Sequence, residues 1–463
     1  MTFASLLATG RSLRTITSAT VERVESSALL TDHYELTMVQ AALRSGAGHR
    51  RGVFEVFARR LPDGRRYAVV GGTGRFLDVL ERFRFDDATL AVLDEHEIVD
   101  EATLQWLASY RFSGSIWGYG EGECFFAGSP ILTVESTFAE AVLLETLTLS
   151  VLNHDSAIAS AASRMIAAAG SRPCIEMGSR RTHEEAAVAA ARAAYIAGFA
   201  TTSNLEARRR YSVPTSGTSA HAFTMVHDGE REAFTAQVAS LGTSTTLLVD
   251  TYDVLEGVRA AVEIAGRELG AVRLDSGDLL AQAHEVRALL DELGAVNTRI
   301  VVTSDLDEYQ IAALAAAPVD TYGVGTALVT GSGAPTVGLV YKLVARSSAD
   351  RPEQLVPVVK RSVGKVNRGG RKWAVRTRDG QGIAVRELIG VAGAAGPATA
   401  SDGADYGSPG DRPLLHPLVI DGEVVGREPI SAARARHAAS FAELPATAHQ
   451  LSWGEPVIPT IYV

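Results

Sequence analysis

Six short segments of this chain gather side chains that could do chemistry together. They are EMGSRR (176–181), SGTSAH (216–221), VDTYD (249–253), RLDSGD (273–278), TSD (303–305) and GVGT (323–326). Guanidinium groups, carboxylates, small hydroxyls and glycines recur among them. Arginines such as Arg180 and Arg273 can clamp a phosphate or carboxylate through parallel N–H bonds. Paired carboxylates such as Asp275 and Asp278 can hold Mg²⁺ directly or through water. Glycines beside a threonine, as in Gly325-Thr326, let backbone N–H groups cradle a phosphate. The inventory suits a phosphorylated sugar bound with magnesium.

Each motif alone has a plainer reading. RLDSGDL can be a capped helix start, GVGT a tight strand-to-helix turn, Arg180-Arg181 surface charge and His221 a structural histidine. GVGT also misses the glycine spacing of a dinucleotide fingerprint. Position is what argues for a site, because all six segments fall at the ends of predicted strands. Strand-like runs recur at 174–177, 201–205, 221–225, 246–250, 271–274, 300–303 and 321–324. Most are separated by Ala- and Glu-rich helical stretches, such as 183–198, 254–269 and 281–293. Repeated β-α units predict a parallel sheet, closed into an irregular barrel or left open and doubly wound, and ligands bind at the C-terminal ends of its strands.

The flanks read differently. Residues 113–135 alternate apolar with glycine and polar residues, which predicts short antiparallel strands, and a helical run follows over 138–169. Beyond Lys342, strands are expected at 355–359, 372–376 and 417–425, with a Gly-, Ala- and Ser-rich surface loop at 390–410. Residues 1–20 hold Arg11 and Arg14, many hydroxyl residues and no acid, and read as a loosely ordered leader.

At 463 residues the chain should build two or three domains. Its 44 Lys and Arg against 54 Asp and Glu give a net charge of −10, which argues against a nucleic-acid or anionic-membrane surface. No run of 18 apolar residues exists to span a membrane. Cys124 and Cys174 form no CxxC or Cys/His cluster, so a reducing compartment, the cytoplasm, fits.

Nine segments in order resemble the nicotinate phosphoribosyltransferases, type II phosphoribosyltransferases. They are TDHYELTM (31–38), FEVFARRLP (54–62), LNHDSAIAS (152–160), EMGSRR, SVPTSGTSAHAF (212–223), LVDTYD, RLDSGDL, YGVGT and GLVYKLV (338–344). The resemblance implies an irregular α/β barrel over 138–345 and a split, mainly antiparallel α+β domain. Residues 28–137 and 346–463 would build that split domain, after a leader at 1–27. It also implies a homodimer with shared active sites, in which Tyr34 stacks on the pyridine ring from the partner side. Met177 would take the ring's other face, where many relatives carry an aromatic residue. Thr218 and Arg273 would line the nicotinate site, Arg180 would lie by the base and pyrophosphate, and Gly325 and Thr326 by the sugar phosphate. Asp275 would stand near the metal, and His221 would be the histidine phosphorylated by ATP. The expected reaction joins nicotinate to phosphoribosyl pyrophosphate with Mg²⁺ and ATP. Relatives that use nicotinamide hold an acid after the second barrel strand, and residues 197–203 have none. Nicotinamide and quinolinate phosphoribosyltransferases, or a catalytically silent barrel, remain the alternatives.

Overall fold

The computed structural model describes residues 25–360, 368–391 and 411–463. The expected leader at 1–20 and nearly all of the expected loop at 390–410 lie outside the described residues. Two hydrophobic cores organise the rest.

The first core belongs to an antiparallel sheet of seven strands. Their order is Leu355–Pro357, Leu339–Ser347, Arg51–Ala58, Leu132–Thr137, Ser115–Tyr119, Leu415–Ile420 and Glu423–Val424. Both ends of the chain thus feed one sheet, as a split domain requires. The Leu339–Ser347 strand, which straddles residue 345, pairs along Arg51–Ala58 and returns the chain from the barrel to this sheet. The expected strand at 417–425 is a hairpin, turned by Asp421 and Gly422 at positive φ. Lys372–Arg378, Ala384–Val391, Arg412–Pro413 and Thr460–Tyr462 form a further four-stranded sheet.

The second core fills a parallel sheet of six short strands. Their order is Thr201–Thr202, Cys174–Glu176, Thr321–Val324, Arg299–Ser304, Ala271–Leu274 and Thr246–Leu248. Ala271–Leu274 and Thr321–Val324 are buried throughout, because helices cover a parallel sheet on its faces. The helices begin where short polar residues can bond the free N–H groups. Asp253 accepts from Glu256 N at 2.9 Å, and Asp307 forms a full capping box with Gln310. Helix Glu145–Ala169 joins the two cores, with Leu147 and Val151 in the first and Ala162 and Met165 in the second.

One expected strand is absent. His221–Met225 is a helix in which only Thr224 is buried, so its apolar residues do not alternate into a core. The preceding run takes the sheet edge instead, with Thr215 bridging Thr202, and the chain turns at Ala220 before winding. The sheet is therefore an irregular half-barrel of six strands and one bridge. Among the described residues no helix is long and apolar enough to cross a membrane.

Candidate active site

The parallel strands deliver their C-terminal ends to one rim. Met177, Arg180, Arg273, Asp275, Gly325 and Thr326 line a single pocket there of about 160 Å³. Arg181, Thr303, Ser304 and Asp305, which fall in the same sequence segments, join them. Close packing shapes the floor. A Cβ on Gly323 would stand 2.4 Å from the Thr303 methyl and 2.9 Å from the Met177 sulfur, so only glycine fits.

Arg273 is the best-anchored cation of the rim. Its Nε donates to Thr303 Oγ1 at 2.9 Å and its Nη2 to Asp275 Oδ1 at 2.8 Å. Its Nη1 donates to Thr218 Oγ1 at 3.2 Å and to the Ser219 carbonyl at 3.0 Å. A guanidinium has five N–H donors, so these four bonds leave one N–H for a ligand. Arg273 offers an incoming carboxylate that single charged bond and not a two-pronged clamp. Thr303 also donates to Asp275 Oδ1. Burial raises the Asp275 carboxyl, but the bonds from Arg273 and Thr303 outweigh it and hold the group below its ordinary range.

His221 stands at the start of its short helix, 38% exposed. Its Nδ1 lies 3.2 Å from Thr251 Oγ1. Its Nε2 lies 3.9 Å from both Asp250 Oδ1 and Asp275 Oδ2. Asp250 and Thr251 stand out as individual contributors only in the structure, although their VDTYD segment ends a strand as the others do. The Asp250 side chain is 2% exposed. Its Oδ2 accepts from Asp275 N at 2.8 Å and Ser276 Oγ at 2.9 Å, while its buried Oδ1 has no hydrogen-bond partner. Glu230, whose Oε1 is likewise buried without a partner, lies near enough for Asp250 to add to the upward push that burial gives its carboxyl.

Glu176 works behind the pocket. Its carboxylate accepts from Gly178 N and the Thr202 hydroxyl, tying the Met177–Arg180 turn to the neighbouring loop, and burial pushes its pKa up. The 197–203 stretch that has no acid of its own thus touches one from the adjacent strand.

Two expected residues stand apart. Asp278 spends Oδ1 on Ala281 N at 3.1 Å, capping helix Leu279–Glu292. Among the described residues no group of three or more acids, histidines and cysteines is placed to hold a metal. Tyr34 sits on helix His33–Arg44 of the antiparallel domain, 46% exposed. Partial burial, then the Glu145 charge, push its phenol up to about 12. It is not among the residues lining the rim pocket of its own chain.

Known proteins match this chain along most of its length. The profile of the nicotinate phosphoribosyltransferase N-terminal domain matches residues 29–153, and that of the nicotinate phosphoribosyltransferase family matches residues 173–380. A nicotinate phosphoribosyltransferase of Mycobacterium tuberculosis is 55% identical over 444 residues, covering 94% of this chain and 95% of that protein. One from Bacillus subtilis is 38% identical over 364 residues, covering 76% and 73%. The crystal structure of human nicotinic acid phosphoribosyltransferase superposes with a TM-score of 0.78 at 26% identity, covering 94% of this chain and 97% of that one.

Proposed function

The chain belongs to the nicotinate phosphoribosyltransferase family, and on that footing we propose that it couples its reaction to ATP through a phosphorylated His221. The reaction itself transfers phosphoribosyl from phosphoribosyl pyrophosphate to nicotinate, giving nicotinate mononucleotide and pyrophosphate in NAD biosynthesis or salvage.

Displacement at the anomeric carbon builds positive charge on the sugar and negative charge on the departing pyrophosphate. The chain's part is to position the pyridine nitrogen and neutralise the leaving group. In this reading Arg273 gives its one free N–H to the nicotinate carboxylate, and Thr218 fixes the guanidinium. Met177 supports one ring face, and Arg180 with Arg181 meets the pyrophosphate. Gly325 and Thr326 sit against the sugar phosphate. Mg²⁺, when bound, would neutralise pyrophosphate. Asp275 and the open oxygen of Asp250 suit it better than Asp278, whose carboxylate caps a helix.

The observation that carries the ATP coupling is the placement of His221. Its imidazole shares Asp275 with Arg273, so a phosphoryl group there would add roughly −1.5 to −2 charges beside the arginine that meets nicotinate. New charge-assisted bonds could then order the loops that bind both substrates. The test is label transfer from [γ-³²P]ATP. The wild type should give an acid-labile, base-stable adduct and His221→Ala none, with slow ATP-independent nicotinate mononucleotide formation retained. Undiminished ATP stimulation in His221→Ala would overturn the assignment.

A homodimer with shared sites follows the same reading, since exposed Tyr34 has no place in its own pocket. Mixing Tyr34→Ala with Asp275→Ala chains should partly restore activity, and a fully active monomer by light scattering would sink the idea. The cytoplasm is the compartment that suits two free, buried cysteines.

A further inference from the structure

The Thr201–Thr202 strand lies at one edge of the parallel sheet, and neither of its residues lines the rim pocket. Thr202 is nonetheless fully buried, with every polar group engaged. Its N–H donates to the Pro214 carbonyl at 2.9 Å, and its own carbonyl accepts from Ser216 N at 3.1 Å. Its hydroxyl donates to Glu176 Oε2 and accepts from Asn204 N at 2.9 Å.

Both hydroxyl bonds lead to one turn. Glu176 passes the first on, because its other oxygen, Oε1, accepts from Gly178 N. Among the described residues no cation pairs with this buried carboxyl, so its two hydrogen bonds are what place it. Asn204 passes on the second. With its backbone held by Thr202, its Nδ2 donates to Ser179 Oγ at 3.0 Å. Gly178 and Ser179 are thus fastened from one side. From the other, Met177 N donates to the Val324 carbonyl at 2.8 Å. A Cβ on Gly178 would stand 2.2 Å from a Val329 methyl and 3.1 Å from the Gly325 carbonyl, so the turn is pressed against the Gly325-Thr326 cradle. Arg180 comes next and is exposed, and among the described residues nothing bonds its guanidinium. The turn beneath Arg180 therefore sets its aim.

The carbonyl of Thr202 serves a different segment. Ser216, whose Oγ also lies 2.7 Å from Thr201 Oγ1, starts the loop that carries Thr218 to Arg273. That tether to Thr202 is backbone and survives a change of the Thr202 side chain.

We propose that Thr202 is a positioning residue for phosphoribosyl pyrophosphate, its hydroxyl aiming Arg180 through Glu176 and Asn204, a role that rests on Arg180 meeting the pyrophosphate. Steady-state kinetics on the full chain test it, with Mg²⁺, ATP and saturating nicotinate. Valine keeps the shape of threonine and loses the hydroxyl, whereas serine keeps the hydroxyl and loses a methyl. Thr202→Val should raise the phosphoribosyl pyrophosphate KM about tenfold with kcat within about threefold of wild type, and Thr202→Ser should stay within about twofold. Preference for nicotinate over nicotinamide should hold in Thr202→Val, because the Ser216 tether remains. Ser179→Ala should raise the same KM about threefold, and it carries the test if Thr202→Val does not fold. Arg180→Ala should raise that KM further. Adding Thr202→Val to Arg180→Ala should then change it by no more than about twofold, since a residue that acts through Arg180 has nothing left to aim.

A wild-type KM in folded Thr202→Val, or in Ser179→Ala should that variant not fold, would overturn the proposal. So would serine as damaging as valine, or a lost preference for nicotinate, either of which assigns Thr202 to packing. Losses that multiply in the double variant would give Thr202 a target other than Arg180 and overturn it too. A wild-type KM in Arg180→Ala would instead remove the pyrophosphate assignment itself, and the role of Thr202 with it.

Discussion

Two clusters of charge in this chain are built from similar residues and differ in how completely those residues are satisfied. On the four-stranded sheet, Arg376 is fully buried and donates to Glu123 at 2.9 Å, to the Cys124 carbonyl at 2.7 Å and to Glu387. Arg412 grips both oxygens of Glu123 at 2.8 and 2.9 Å and reaches Glu443 at 2.8 Å. Ser440 and Ser129 fill further acceptor positions on Glu123 and Glu387, and only Arg376 Nε lacks a partner. At the rim, Asp250 and Glu230 each keep a buried oxygen without a partner, Arg273 keeps one N–H, and His221 faces two carboxylates at 3.9 Å. Charges that fold the chain are saturated by the chain. Charges at the rim are left short, as the proposed ligand-binding role requires.

That contrast breaks most visibly at Arg376. Replacing it with Met leaves Glu123 and Glu387 buried beside an apolar chain, and removing one partner of a buried pair costs about 3–5 kcal/mol. Arg376→Met should lower the thermal midpoint by roughly 10 °C, whereas His221→Ala should move it by about 1 °C or less. Scanning calorimetry on both variants decides the matter. A comparable fall in both would erase the distinction between the clusters.

The second effect also lies in the saturated cluster and depends on pH. His437, 4% exposed on helix Ile430–Ala442, lies within hydrogen-bond distance of the Gly122 carbonyl, Nδ1 to O at 3.2 Å. Burial drives its pKa down to about 4; Arg434 pushes the same way, while the Gly122 bond and Glu123 oppose. Above the unfolded value near 6.5 the ring is neutral in both states and stability is full. As pH falls through the window from 6.5 to 4 the unfolded chain takes up the proton first, and about 3 kcal/mol is lost. Between pH 7 and 4.5 the wild type should lose more stability than His437→Gln. Parallel pH profiles for the two would refute this.

Much of the rim was readable in the sequence because a local rule governs it. Residues at successive strand ends converge, so the sequence alone brings Arg273, Asp275, Arg180 and Thr326 together. Where one residue had two uses the rule failed. Asp278 follows a strand and also precedes a helix, and the cap won. His221–Met225 has strand-like composition, but the sheet edge beside it was already taken at Thr215. The Arg376 cluster was invisible for a different reason. It unites positions 123, 376, 387, 412 and 443, and no sequence spacing encodes a pairing set by strand register within one sheet and by what packs against it.

Arg273 tests the unsaturated side. A hydrogen bond to a charged group contributes about 1.5–3 kcal/mol, or roughly 10- to 150-fold in binding. Arg273→Ala should raise the nicotinate KM by that factor and change nicotinamide turnover far less. The thermal midpoint should shift little, because Asp275 keeps Thr303 and is 29% exposed. Equal losses with nicotinate and nicotinamide would show that the guanidinium does not meet the carboxylate.

The smallest effect concerns Met177, which carries no charge and so separates shape from electrostatics at the rim. Its sulfur packs against the strand at Gly323, and its side chain helps line the pocket that Arg273 closes on another side. A thioether fills space without fixing an angle, because its three rotatable bonds let it adapt to whatever lies above it. An aromatic ring would present one plane to the pyridine, and such pairs contribute about 0.5–1.5 kcal/mol beyond the area they bury. Met177→Phe should therefore lower the nicotinate KM by roughly two- to tenfold while leaving kcat unchanged, since no charge near the reacting carbon has moved. Met177→Ala should raise KM instead, through lost contact. Steady-state kinetics at saturating phosphoribosyl pyrophosphate, with and without ATP, resolve the two directions. If Phe raises KM and Ala leaves it alone, Met177 supports the strand and not the ring, and the rim's specificity for nicotinate rests on Arg273 and Thr218.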